Sequence, residues 1–468
     1  MTISFASFGG LIPRIDETAL PDTAATRALC CRLKTTKLNP IRSAKDITGR
    51  PMHVEGGLTD VGDARTLCLW QRGRAFRDFL AWRGVVHVAP SNIFADKRYR
   101  IFVTGETGEG TPGKPDQPCA YICSPDGRFF DRHLLTKGTP PPPDVQRQAT
   151  GPAPGYGLDE ANIRYTVFFQ SFVDEYGYES GASMPSQEAE YNDGDKVTWL
   201  GCPIPGGIVT RRLYKAVAGT GIATIKFVCE QPVSATETAF FDKTVMVKDE
   251  DTGEEMPLIT PIPEDLDWMT AMPGNFYAGF LKSEPRSICF SDVGLATSWP
   301  DAFRYDIRDE AVGIAVSGST AFILTRGYPW AISGSAPDGM TAAQITSEQA
   351  CVSARSICAF EGRVFYASQD GVCVLAEDSL TSTVLTRNYF DKVAWEALNP
   401  PSCIMTAYDN ALFLWFEQTD GTPLAYIIDF DTGGNPVITR HSDFAQAVCV
   451  DCEDDALYFV RRKPDGGA

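Results

Sequence analysis

Gly362-Arg-Val-Phe-Tyr-Ala-Ser-Gln-Asp-Gly-Val-Cys-Val-Leu-Ala376 reads as two short apolar strands joined by the turn Gln369-Asp370-Gly371. Glycine and aspartate tolerate the tight backbone geometry of a hairpin, and the flanking Val, Phe and Tyr favour the pleated, half-buried surface of a sheet. The first strand follows a turn residue, and that pattern recurs. It appears as Gly274-Asn-Phe-Tyr-Ala, Gly318-Ser-Thr-Ala-Phe-Ile-Leu, Asn410-Ala-Leu-Phe-Leu-Trp and Asp455-Ala-Leu-Tyr-Phe-Val, at successive spacings of 44, 44, 48 and 45 residues counting Gly362 in its place. A period near 45 built of strands is the signature of a β-propeller blade, and such units close their cores only by stacking on neighbours. The expected class is mainly β, with a propeller-like body over 260–468.

Forty-one glycines and 32 prolines supply the turns that many short strands require. Helical periodicity is confined to Thr23–Arg32, opened by Pro21-Asp22, and Lys392–Leu398, stopped by Asn399-Pro400-Pro401. A stiff proline run, Pro140 to Pro143, followed by Gly151-Pro-Ala-Pro-Gly155, marks a linker over 135–155. Beyond it, strands at 163–173, 196–200, 209–215, 226–229 and 238–242 make a compact unit over 160–246. Residues 61–150 are assigned to the first β part of the propeller-like body, and 1–60 to an N-terminal arm and assembly segment.

The chain has 468 residues, 43% hydrophobic and 22% charged, as expected of a soluble multidomain protein. Charged residues or glycine interrupt every apolar run short of the roughly 18 residues a membrane helix needs, so no membrane span is expected. The first ten residues lack the basic start and apolar stretch of a secretion signal. Fourteen scattered cysteines in such a context read as reduced, buried thiols. Four isolated histidines, His53, His87, His133 and His441, offer neither zinc-ligand spacing nor a base for a nucleophile, so no metal, cofactor or catalytic residue is assigned.

Two textual motifs fail on chemistry. Gly108 to Lys114 approaches a phosphate loop, but Pro115 stands where a magnesium-binding hydroxyl is required, and the segment is a poor helix opening. The acidic loop Asp249–Glu255 lacks the ligand order of a calcium-binding hand. Carboxylate pairs suited to glycoside hydrolysis are defined by separation in space, which spacing along a chain does not supply. A receptor-binding or glycan-degrading propeller is the rival reading; exposed Trp70, Trp299 or Trp330 would serve it, although core packing is the commoner role of such residues.

Several segments resemble the tail tubular or nozzle proteins of short-tailed bacteriophages. They are Phe8-Gly-Gly-Leu-Ile-Pro-Arg14, Leu20-Pro-Asp-Thr-Ala-Ala25, Cys31-Arg-Leu33 and Leu38-Asn-Pro-Ile41 at the start, then Asn275–Phe280, Ile288–Asp292, Trp299-Pro300, Gly327–Ala331, Ser353–Ile357, Tyr366–Gly371 and Trp395–Pro400. The unit at 160–246 resembles a fibronectin type III domain, its Arg211-Arg-Leu-Tyr-Lys215 being typical of such modules in phage proteins. The vicinal pair Cys30-Cys31 departs from the family pattern. The resemblance implies a non-enzymatic virion protein of the tail, made in the host bacterial cytoplasm and assembled as a homohexameric ring. Its implied partners are an adaptor ring, tail fibres and a needle or plug, and double-stranded DNA would pass through the ring without specific binding. A net charge of −18 per copy fits a wall that does not hold phosphate. The extended residues Phe8, Leu11, Ile12, Pro13, Arg14, Leu20 and Pro21 are the expected subunit contacts, since an apolar arm gains stability when another surface covers it.

Overall fold

The computed structural model of the chain describes residues 8–34, 37–41, 43–47, 52–55, 61–72, 76–92, 96, 98–108, 116–123, 130–135, 139–147, 163–217, 224–234, 236–247, 254–376, 381–430 and 436–461. It divides into two compact units: Met1–Leu135 with Pro263–Ala296 and Asp301–Ala468, and Thr136–Ile262 with Thr297–Pro300.

The first unit is a β-propeller-like body. Among the described residues it comprises seven successive sheets that form the blade series and a separate hairpin, Cys31–Lys34 with Lys37–Pro40. The first blade has Thr66–Arg72 and Phe76–Trp82 antiparallel, with Met52–Glu55 added parallel to Phe76–Trp82. The second to sixth are four-stranded antiparallel meanders, beginning at Val86–Pro90, Leu266–Met272, Ala311–Ser317, Cys358–Phe360 and Ile404–Tyr408. The seventh is the pair Ala445–Asp451 and Ala456–Arg461. From the second blade on, each leading strand packs on the leading strand of the next, and Ala445–Asp451 meets Thr66–Arg72, so the series closes on itself. The Leu69 N–H donates to Cys449 Sγ at 3.1 Å across that closure. Leu67, Phe79, Ala447 and Val460 bury a shared core there.

The repeat seen in the sequence is the first hairpin of five blades. Gly274, Gly318, Gly362, Asn410 and Asp455 all have positive φ, between 48° and 97°. In two of these hairpins both central residues are left-handed, Glu361-Gly362 and Asp409-Asn410, the mark of a type I′ turn whose twist matches that of the strands. The strand after each of the turns at 274, 318 and 410 lies inside its sheet, with neighbouring blades against both faces. Phe276–Leu281 and Thr320–Thr325 are therefore buried throughout, and Ala411–Glu417 nearly so. That double coverage explains runs of apolar residues where a one-sided sheet would alternate.

The second unit is a fibronectin type III-like β-sandwich. One sheet orders Val145–Arg147, Lys196–Trp199 and Lys243–Met246; a second orders Phe168–Asp174, Ile208–Val217 and Thr224–Pro232; and Arg164–Thr166 pairs separately with Ala189–Tyr191. Phe168, Trp199 and Leu213 meet between them in a fully buried core. Arg211 is buried with them, its guanidinium 3.7 Å from the centre of the Trp199 ring. It donates to the carbonyls of Leu200 at 2.7 Å and Phe241 at 2.9 Å and to Gln231 Oε1 at 2.8 Å, with longer contacts to Cys202 Sγ at 3.7 Å and Trp199 O at 3.5 Å, so each of its five N–H groups has a partner inside the sandwich.

Four local expectations change. Residues 23–32 form no helix: the N–H of Ala25 donates to Gly10 O and that of Cys30 to Arg440 O, so long-range partners take the bonds a helix would use. Val145–Arg147, inside the proposed linker, pairs with Lys196–Trp199 and belongs to the sandwich. The strand expected at 163–173 breaks at Val167 into two strands in different sheets. The last sandwich strand is Lys243–Met246, not 238–242, where Ala239 makes only an isolated bridge to Pro203. The short helix forms as Lys392–Glu396, with the Asp391 carboxylate accepting from the Ala394 N–H.

Candidate functional site

Residues 8–30 run along the outer edge of the sixth blade. Its last strand, Val437–His441, would otherwise present unpaired backbone groups, a template for pairing with another chain. The arm covers that edge. The Leu11 N–H donates to Ile438 O, the Cys30 N–H to Arg440 O, and the Arg440 N–H to Ala28 O, each at 2.8 Å. Gly10, at φ 72°, makes the approach possible: a Cβ there would lie 2.6 Å from Ile438 O.

Of the expected contact residues, Leu11 is buried and Phe8 and Ile12 are partly buried, all against a core that includes Tyr389, Trp395 and Ile438 of the same chain. The cover expected from a neighbour is thus supplied within the chain for these three. Pro13, Arg14 and Pro21 are exposed and Leu20 is half-buried. The Arg14 N–H donates to Tyr389 O at 2.9 Å, which fixes the backbone and leaves the proline beside it facing outward.

A groove of about 610 Å³ opens beside this path, lined among others by Leu11, Ile12, Pro13, Leu20, Ala28 and Leu29, with Glu17, Arg27 and Arg440 adding charge. Its lining is divided about evenly between polar and apolar surface.

Arg32 pins the end of the arm. It donates from Nε to Asp429 Oδ1 at 2.8 Å and from Nη1 to Asp409 Oδ2 at 2.7 Å, and its Nη2 reaches Asp409 O at 2.7 Å. Asp429 is fully buried, and these carboxylates hold the Arg32 pKa above its usual value in spite of a desolvation penalty that acts the other way. Its partners lie 377 and 397 residues away in the chain, beyond the reach of any local sequence pattern.

A second arginine was equally hidden. Arg355, just before the fifth blade, donates to Arg65 O of the first blade at 2.8 Å and to Gln446 O of the seventh. Burial lowers its pKa to about 10, with the nearby Arg65 adding to the effect. It ties the start of the fifth blade to the two blades that meet at the closure.

Among the described residues no three His, Cys, Asp or Glu side chains stand close enough to hold a metal ion. Trp70 and Trp299 are buried and Trp330 is half-buried, so the first two are core residues rather than sugar platforms. Residues 109–115 of the glycine loop and 248–253 of the acidic loop lie outside the described residues. Among the described residues no helix is long and apolar enough to cross a membrane.

No family model matches the chain. No curated protein matches it either. Solved structures similar in part include the N-terminal domain of Nup159, at 10% identity and TM-score 0.28 over 50% of this chain and 59% of that one, so the match leaves much of both unaligned. The AfRom2 CNH domain aligns at 6% identity and TM-score 0.25, over 54% of this chain and 75% of that one. KlHsv2 carrying a Gly-Ser linker aligns at 8% identity and TM-score 0.25, over 74% and 95%. The fold assignment rests on the sheets themselves.

Proposed function

We propose that this chain is a structural subunit of the tail nozzle of a short-tailed bacteriophage, forming a ring of six copies in the virion through which double-stranded DNA passes unheld. The observation that carries the reading is a coincidence of place. The segments resembling the tail tubular proteins, Phe8–Arg14 and Leu20–Ala25, supply five of the twelve residues that line the groove on the sixth blade, and the stretch between and after them supplies most of the rest. An arm stitched to its own sheet edge and grooved on its open side is suited to take a side chain from a neighbour. The role needs no catalytic group; shape and a charge of −18 do the work, since an acidic wall repels phosphate. Adaptor ring, fibres and a needle or plug are the partners such a subunit would hold.

Sedimentation velocity of the purified chain over a concentration series tests the proposal. A discrete species of six copies supports it. A monomer that binds or cleaves host polysaccharide replaces it with the receptor-binding or glycan-degrading reading.

A further inference from the structure

The charge of the chain is unevenly distributed. Residues 27–50 contain Arg27, Arg32, Lys34, Lys37, Arg42, Lys45 and Arg50 against the single acid Asp46, a net of +6, which leaves the rest of the chain at −24. Arg32 is spent on its own Asp409 and Asp429. Arg27 lines the groove, and both Arg27 and Lys45 are exposed.

Exposed large apolar side chains collect in the same stretch. Leu29 is 44% exposed, Leu38 53% and Ile47 49%. The two-stranded hairpin Cys31–Lys34 with Lys37–Pro40 rests by its first strand on the sixth blade, through Cys31 and Arg32, while Leu38 on its second strand stays exposed. One stretch of the chain thus carries exposed apolar and basic side chains, Leu29 and Arg27 among them beside the groove, on a chain otherwise strongly acidic.

We infer that the arm and hairpin of one copy dock onto the acidic surface of a second copy, with Leu29 beside the groove as the apolar contact and Arg27 and Lys45 as basic ones. This rests on the ring reading and names the element that closes it. A cyclic ring uses two different surfaces of each subunit, one meeting the other of the next, so a basic face complementary to an acidic one is what its geometry requires. Opposite charge also steers the encounter and rejects wrong pairings, and repulsion between the acidic bodies leaves the basic face as the favoured approach.

The test compares the full-length chain with Arg27→Glu/Lys45→Glu and, separately, with Leu29→Asp, by sedimentation velocity at low and high salt. Near-ultraviolet circular dichroism checks that each variant is folded. The expected result is a wild-type association that weakens with salt, and a loss of about tenfold or more in association constant for both variants. The arm-to-body contact is overturned if folded variants assemble like wild type, and the ring reading then survives without it. It is overturned in favour of a nucleic-acid contact if the charge variant assembles normally but loses binding to a fluorescent DNA duplex that the wild type binds. A wild-type chain that stays monomeric at every concentration removes the ring and this contact together.

Discussion

Arg32 and Asp429, 397 residues apart in the chain, form a charge-assisted pair with Nε 2.8 Å from Oδ1 and the carboxylate fully buried. Breaking such a pair from one side strands the other charge in the interior, which costs about 3–5 kcal/mol. Arg32→Met should therefore destabilise the propeller-like body by about that amount in urea unfolding. It should also expose the arm to limited proteolysis before the rest of the body is cut. A variant within about 0.5 kcal/mol of wild type would show that the arm is held without this pair.

Gly10 lies where the arm runs against the backbone of the sixth blade. At φ 72°, with Ile438 O 2.6 Å from where a Cβ would stand, Gly10→Ala should cost about 1–3 kcal/mol. Gly362→Ala is a useful contrast, since its φ of 71° carries strain but no atom lies within 4 Å of the added methyl. The expected order in thermal unfolding is wild type, then Gly362→Ala, then Gly10→Ala. Equal losses in the two variants would remove the packing part of the argument.

His87, stacked on Trp268 with ring centres 3.6 Å apart, links the second and third blades. Burial pushes its pKa down from 6.5 to about 3. The unfolded chain therefore binds a proton first as pH falls. This group's contribution to stability is complete above pH 6.5 and declines toward pH 3, by up to about 1.4 kcal/mol per pH unit. His87→Phe keeps a ring against Trp268 and removes the titration, so its unfolding free energy should fall less steeply over that window. Parallel pH curves for variant and wild type would contradict the assignment.

Arg355 spans the closure of the blade series, and Arg355→Met should free the carbonyls of Arg65 and Gln446. Hydrogen exchange should quicken in Ala445–Asp451 and Thr66–Arg72 first, with a loss of about 1–3 kcal/mol overall. Uniform exchange across all blades would show that closure does not depend on it.

The blades were legible because their information is local. Gly274, Gly318, Gly362, Asn410 and Asp455 hold left-handed positions that only a few residue types adopt readily, and the strands after them are apolar on both faces. The arm was not legible for the opposite reason. Ala24, Ala25 and Ala28 look helical in isolation, yet the backbone there pairs with Gly10 and Arg440, contacts that no window of sequence contains. The misplaced sandwich strand has a similar cause. Phe240 is buried and stacks on Phe172 while Phe241 is 63% exposed, an alternation that looks like a strand although the ladder begins at Lys243. The groove joined residues suspected as contacts, but which of them turn inward depended on the sixth blade lying beside them.

Electron microscopy of the purified full-length chain tests the central claim most directly. Closed six-fold rings with an open axial hole are the predicted image. Separate single-chain particles at every concentration, with no ring among them, would contradict it.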